Sequence, residues 1–224
     1  VINCLLEKDP GSPKITRLRV IHLYEADYNL VLKILWARRL VRHADKCEIL
    51  GTQQAGSKPG DGCMSVVLMK ELSYSLSHML HMPIGTFDND AKSCYDRIIP
   101  SVAMLASRRA GMPTDACRMQ VNMLKRARFH LKTKLGISER SFGNTFLLWL
   151  IFGTGQGRGS SPALWLLISI VIICCMKPLC HGFRVSNPTD TESAERNADS
   201  YVDDATTWTS AFFEPAVTTD ELAL

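Results

Sequence analysis

No run of about twenty consecutive apolar residues, the length a bilayer core requires, occurs in this chain of 224 residues. The longest apolar run, Ala163 to Met176, lies between Pro162 and Lys177. Its ALWLLISIVIICCM would span about 21 Å as a helix. A helix buried inside a protein is therefore expected, and no membrane partner. A second apolar run, Phe146 to Phe152, is cut off from the first by the glycine-rich Gly153 to Gly159. No secretory signal opens the chain, because Val1-Ile2-Asn3-Cys4 offers no charged region followed by an apolar one. The 8 cysteines show no metal-ligand spacing. Reduced, mostly buried thiols in an intracellular protein are expected, with nucleus and cytoplasm both open. There is no internal repeat. An initiator Met is also lacking, so a piece of a longer polypeptide is expected.

The charge balance excludes little. With 26 Lys and Arg against 22 Asp and Glu the net charge is +4, which permits a nucleic-acid partner without demanding one. The basic residues are nevertheless grouped: Lys14, Arg17 and Arg19; Lys33, Arg38, Arg39 and Arg42; Arg118, Lys125, Arg126, Arg128, Lys132 and Lys134. Taken singly, each group is a solvated face.

The length suits one sizeable core or two smaller subdomains. Residues 1–13, with Pro10, Gly11 and Pro13, read as a loose lead-in. Alternation over 14–24 predicts a strand, and an apolar stripe with the basic residues largely off it predicts a helix over 25–43. A glycine-rich loop (Gly51, Gly56, Gly60, Gly62) precedes a Met-, Leu- and Ser-rich helix over 63–80. Thr86 to Asp90 reads as a strand end, 99–110 and 114–127 as helices, and 129–135 as a strand. A helix over 162–176, a short strand at 183–185 and a mobile polar loop over 186–197 complete the order. The mixture predicts an α+β class.

Two acidic clusters carry the chemistry. Tyr201-Val202-Asp203-Asp204 sits between Ala198-Asp199-Ser200 and Ala205-Thr206-Thr207-Trp208, which suit two strands joined by a tight turn. Paired acids on a turn suit Mg²⁺, a hard cation that takes oxygen ligands, and two such ions can clamp a phosphoryl transfer. A solvated turn is the plainer reading. Upstream, an extended Thr86 to Asp90 places Asp88 and Asp90 on one side, so three acids from two segments would meet. The plainer reading there is a loop or a helix cap. Between the clusters, Gly153-Thr154-Gly155-Gln156-Gly157-Arg158-Gly159-Ser160-Ser161-Pro162 enters the apolar helix as anion-binding loops do. It lacks the Gly-Lys-Ser/Thr ending of a Walker A loop.

The order of these motifs closely resembles the palm motifs of reverse transcriptases, in particular those of non-LTR retrotransposons and their group II intron relatives. Asp90, Tyr95 and Asp96 match the first motif, Gln156, Gly157, Ser161 and Pro162 the second, and Tyr201, Asp203 and Asp204 the third. Arg19-Val20-Ile21 resembles the family's Arg-Pro-Ile in the fingers. Gln54-Ala55-Gly56 resembles its Gln-x-Gly segment ahead of the first palm motif.

The resemblance implies a right-hand polymerase with fingers and an antiparallel palm sheet, the thumb being absent. Fingers are expected over 1–85, palm over 86–112, a fingers return segment over 113–152, and palm again over 153–224. It implies an RNA-directed DNA polymerase with an RNA template, a DNA primer and deoxynucleoside triphosphates as partners. Asp90, Asp203 and Asp204 would be the catalytic metal-site acids, Asp90 and Asp203 holding the two Mg²⁺ ions, or Mn²⁺, with Asp204 beside them in a supporting role. Arg19, with Arg17 or Lys14, would grip the triphosphate, since a guanidinium fork suits phosphate. Tyr95 would act as a steric gate against a 2′-hydroxyl, and Gln156 and Gly157 would pack near nucleotide and template. The basic groups at 33–42 and 118–134 would line the template–primer path.

Two departures stand out. Arg158 occupies the place where many members have Asp, and Val20 replaces Pro. Only 20 residues follow Asp204, so a retroelement fragment is expected. A catalytically inactive remnant that at most binds nucleic acid is the alternative.

Overall fold

The structure, a computed structural model, describes residues 1–8, 11, 14, 17–143, 153–179, 182–187, 189 and 191–210. The apolar run Phe146 to Phe152 and the first part of the strand predicted over 14–24 (Ile15, Thr16) lie outside the described residues. The chain divides into two compact units, each made of two segments: Val1–Ile49 with Ser93–Leu167, and Leu50–Lys92 with Ile168–Leu224. The stretch 50–85, grouped with the fingers on sequence, belongs to the same unit as the acidic hairpin.

In the first unit, β1 (Ile2–Glu7) pairs antiparallel with β2 (Leu18–Leu23), Ile2 facing Leu23 and Glu7 facing Leu18. The loose lead-in expected over 1–13 thus contains a strand. Its reason is non-local, because β1 is held between β2 and a strand more than a hundred residues further on. A helical stretch follows as α1 (Ala26–Leu32), a π-helical segment (Lys33–Leu40) and α2 (Val41–Lys46). Its buried side includes Leu32, Trp36, Leu40 and Ala44, while Lys33, Arg38, Arg39 and Arg42 are exposed. The Trp36 indole donates to the Ser107 hydroxyl at 3.1 Å, which satisfies a buried donor.

The second unit begins with the glycine-rich loop, then α3 (Cys63–Met79) and β3 (Ile84–Asp90). The buried residues of α3 are Ser73 and Ser77 rather than its large apolar ones. Both hydroxyls are satisfied, donating to the Met69 carbonyl at 2.8 Å and the Met82 carbonyl at 2.6 Å.

The chain returns to the first unit through α4 (Cys94–Arg97), α5 (Pro100–Arg109) and α6 (Thr114–Arg126). Pro100 occupies the first turn of α5, where its missing N–H costs nothing. Next, β4 (Arg128–Thr133) runs parallel to β1, and β5 (Gly136–Ile137) and β6 (Phe142–Gly143) pair with β4. Parallel pairing needs a long crossover, which the intervening helices supply.

Helix α7 (Ser161–Met176) runs from the first unit's segment into the second's. Ala163, Leu164, Leu166 and Leu167 are buried, but Val171 and Ile172 are about half exposed. The helix expected to be buried is therefore buried along one part of its surface, which includes Ser169 and Ile173 further on, and exposed elsewhere. With the 3-10 turn Lys177–Leu179 it reaches 19 residues and is, by length and composition alone, apolar enough to cross a bilayer. The thiols also differ from expectation. Of the described cysteines only Cys94 and Cys117 are buried, and Cys47, Cys63, Cys174 and Cys175 are exposed.

The second unit closes with β7 (Phe183–Ser186), β8 (Ser193–Arg196), β9 (Ala198–Tyr201) and β10 (Asp204–Ser210). Strand β8 lies inside the stretch expected to be a mobile loop. It has no apolar alternation to betray it and exists by pairing with β7. An antiparallel sheet in the order β3-β10-β9 forms the heart of this unit. Trp208 is 1% exposed there, with the rings of Tyr74 and Phe183 at 5.3 and 6.5 Å.

Candidate functional site

The acidic site lies wholly within the second unit. Strands β9 and β10 form a hairpin whose two-residue turn is Val202-Asp203, with Tyr201 opposite Asp204. Val202 has φ of 56°. A β-branched residue there is a genuine outlier, and the strain is on the order of 1–2 kcal/mol. Alone of the two turn residues Val202 has positive φ, the pattern of a type II′ hairpin turn, in which glycine is usual.

Register then decides which acids meet. Strand β10 pairs with β3 so that Asp204 faces Asp90 and Thr206 faces Asp88. Residues directly opposite share a face, so Asp88, Asp90, Asp204 and Thr206 lie on one side of the sheet. They line a cleft of 370 Å³ together with Val66 and Lys70 of α3. The Ala91 N–H donates to the Asp203 carbonyl at 2.9 Å, which ties the turn to the end of β3.

The four cleft carboxylates split into two kinds. Asp88 accepts from the Thr206 hydroxyl and pairs with Lys70 at 3.2 Å. The Thr206 hydrogen bond, followed by Lys70, holds its carboxyl below the usual Asp range. Asp199, 8% exposed, accepts from the Trp208 indole and the Arg196 guanidinium. Asp90 and Asp204, by contrast, have neither hydrogen bond nor ion pair among the described residues. Like charges placed directly opposite are destabilising, and two unneutralised carboxylates on one face fit a hard divalent cation. Asp203, expected from sequence to hold metal with Asp90, lies in the turn beside Asp204. Among the described residues no three Asp, Glu, His or Cys side chains gather to hold a metal ion.

Arg17, Arg19, Tyr95, Gln156 and Gly157 all lie in the first unit. Arg19 is exposed on β2, opposite Leu6, and Arg17 is exposed just before that strand. The Gln156 carbonyl accepts from the His22 N–H at 2.8 Å. A β-carbon on Gly157, whose φ is 98°, would lie 2.5 Å from the His22 carbonyl. The Asn29 side chain holds the loop from the other side, donating to the Gly157 carbonyl at 3.1 Å and accepting from the Gly159 N–H at 2.6 Å. The Tyr95 carbonyl accepts from the Thr154 N–H at 2.8 Å. The loop is thus clamped between β2, α1 and the segment at Tyr95.

Arg158, singled out as a departure from the family pattern, is 2% exposed. Its guanidinium lies 5.2 Å and 5.6 Å from the ring centres of Tyr24 and Tyr28 and donates to the Tyr28 hydroxyl. Cation–π contacts take the place of a carboxylate. Burial, then the Arg158 charge, pushes the His22 imidazole below its ordinary value. Burial pushes the Asp96 carboxyl up.

Sequence reasoning missed Lys70, Thr206 and Asp199, because nothing local marks a lysine or threonine as the neutraliser of one acid rather than another. Their common face was readable only after the register of β3 on β10 was known.

No protein-family model matches this chain, and no curated protein does. Solved structures do. Telomerase from Candida tropicalis, in an apo form truncated from its C-terminal domain, superposes with a TM-score of 0.54 at 11% identity, covering 93% of this chain and 43% of that one. Telomerase from Candida albicans, in complex with a TWJ fragment of telomeric RNA, superposes with a TM-score of 0.54 at 12% identity, covering 93% of this chain and 38% of that one. The chain thus spans less than half the length of either. At these identities the likeness is one of fold, and the fold is reverse-transcriptase-like.

Proposed function

We propose that this chain is a fingers-and-palm portion of an RNA-directed DNA polymerase of the non-LTR retrotransposon type. The observation that carries the reading is the facing of Asp90 and Asp204 across β3 and β10, next to the Asp203 turn, in a chain of reverse-transcriptase-like fold. Asp90 and Asp204, with Asp203 beside them, would hold Mg²⁺ or Mn²⁺. When bound, the metal supplies neutralisation of the charge that builds up as a phosphoryl group is transferred.

The chain's own residues do the rest. The Asp88–Lys70–Thr206 set and the Asp199–Arg196–Trp208 set use up the other acids of the cleft, leaving the Asp90–Asp204 pair as its uncompensated negative charge. Arg19 and Arg17, exposed on and before β2, would grip triphosphate oxygens. Tyr95 would stand as the gate against a 2′-hydroxyl. The Gln156-Gly157 loop, pinned to His22 and Asn29, presents backbone without side-chain bulk to nucleotide or template. RNA template, DNA primer and deoxynucleotides are the partners this requires, and the RNA complex of the Candida albicans telomerase supports the first of them.

Primer extension on an RNA template with Mg²⁺ tests the reading. Extension should occur and should vanish in Asp90→Ala and in Asp203→Ala. Activity surviving both would remove the assigned acids from the chemistry. A second reading, an inactive remnant that binds nucleic acid, draws support from the lack of a three-ligand group among the described residues. Retention of template–primer without extension would favour it.

A further inference from the structure

The backbone of the acidic turn is gripped by one side-chain amide. Gln54, 1% exposed, belongs to the same unit as the hairpin. Its Oε1 accepts from the Val202 N–H at 3.3 Å and the Gly56 N–H at 2.8 Å. Backbone N–H groups only donate, so these two contacts settle which end of the amide is oxygen. Its Nε2 shares two donors among the Ser200 hydroxyl at 2.7 Å, the Ser169 hydroxyl at 2.9 Å and the Val202 carbonyl at 3.3 Å. The amide therefore engages both the N–H and the carbonyl of the one turn residue with positive φ.

The backbone around Gln54 reinforces this grip. Ser200 donates to the Gln53 carbonyl at 2.6 Å and accepts from the Ala55 N–H at 2.9 Å, a parallel bridge on the outer edge of β9. A β-carbon on Gly56 would overlap the Val202 backbone nitrogen. Glycine two residues after the glutamine is thus what lets the turn sit against this strap. A strained backbone persists only where its surroundings over-determine it, and Gln54 with Gly56 supplies that surrounding.

We propose that Gln54 is a positioning residue: it holds Val202 in its positive-φ conformation and so aims Asp203 and Asp204 from the turn. Its consequence for catalysis rests on the polymerase reading above, but its structural action does not.

Amide hydrogen exchange on the full chain tests the grip without any activity. Loss of one hydrogen bond is worth about a factor of ten in local opening. In Gln54→Leu, the Val202 and Gly56 amides should therefore exchange about tenfold faster, while Thr206 and Trp208 of β10 keep their protection. Unchanged exchange at Val202 and Gly56 in a folded Gln54→Leu overturns the proposal. Should that variant not fold, the unaltered chain answers. The Gln54 side-chain amide protons should exchange at least about tenfold more slowly than those of exposed Asn122, and equal rates overturn the proposal. Primer extension then separates the two claims. If the chain is active, Gln54→Leu should lower kcat with the deoxynucleotide KM held. An unchanged kcat removes the positioning role, whereas inactivity of the unaltered chain counts against the polymerase reading and leaves the exchange result standing.

Discussion

Asp90 at the end of β3 and Asp204 at the start of β10 are direct cross-strand partners. Their neighbours one pair further along, Asp88 and Thr206, form a hydrogen bond, and Lys70 joins them. One sheet face thus carries a neutralised acid beside a repelling pair, and these contrasts lead to opposite mutational outcomes.

Removing one charge of the repelling pair should stabilise the metal-free chain. Asp204→Asn is expected to raise unfolding free energy by about 0.5 kcal/mol, the scale of a like-charge cross-strand pair. The same variant should lose stabilisation by added Mg²⁺. Urea denaturation with and without Mg²⁺ reads both effects, and a variant that is less stable without metal contradicts the repulsion.

The neutralised acid gives a pH signature. The folded-state pKa of Asp88 is depressed, so its contribution to stability is present above the unfolded Asp value and disappears as pH falls through the folded value. Thr206→Val should remove the largest cause of the shift and shrink the acid-side loss of stability. Denaturation midpoints compared between about pH 3 and 6 check this.

His22 supplies a second pH dependence, in the first unit. Its folded-state pKa lies below the unfolded one, so the unfolded chain binds more protons between the two values. Stability from this group is full above about pH 6.5 and declines as pH falls through the folded value. Arg158→Met should move the His22 pKa upward, since the Arg158 charge is a cause of the depression. An NMR titration of the imidazole measures it, and a downward or absent shift would refute the coupling.

Glycine positions separate close approach from mere flexibility. Gly157→Ala forces a β-carbon against the His22 carbonyl at a φ of 98° and should cost about 2 kcal/mol. Gly62→Ala meets nothing within 4 Å at a φ of -149° and should stay within about 0.5 kcal/mol of the unaltered chain. Gly56→Ala should resemble Gly157→Ala, since its β-carbon overlaps the Val202 nitrogen. Equal small effects at all three would remove the steric argument.

Much of the local structure was legible. The helices around 63–80, 99–110 and 114–127 and the acidic hairpin lie close to their predicted places, because periodicity, proline and glycine act over a few residues. The failures share a cause. The sequence pattern predicts a lead-in where β1 runs and a mobile loop where β8 runs, and both strands exist through partners that no local pattern names. The apolar run predicts a helix buried inside the protein, but hydropathy records composition and does not say which residues of α7 a neighbour covers.

At the candidate site the same division holds. Taken alone, the sequence determined that two acids follow an aromatic and a β-branched residue in a tight turn, and that Asp88 and Asp90 share a strand face. Those facts depend on backbone geometry one or two residues long. Only the tertiary structure decided that Asp204 rather than Asp203 faces Asp90, that Lys70 and Thr206 serve Asp88, and that Gln54 takes hold of Val202. Each is set by strand register or by contact between segments more than a dozen residues apart. A shift of one residue in β3 against β10 would reverse every facing, and no spacing within either strand excludes it.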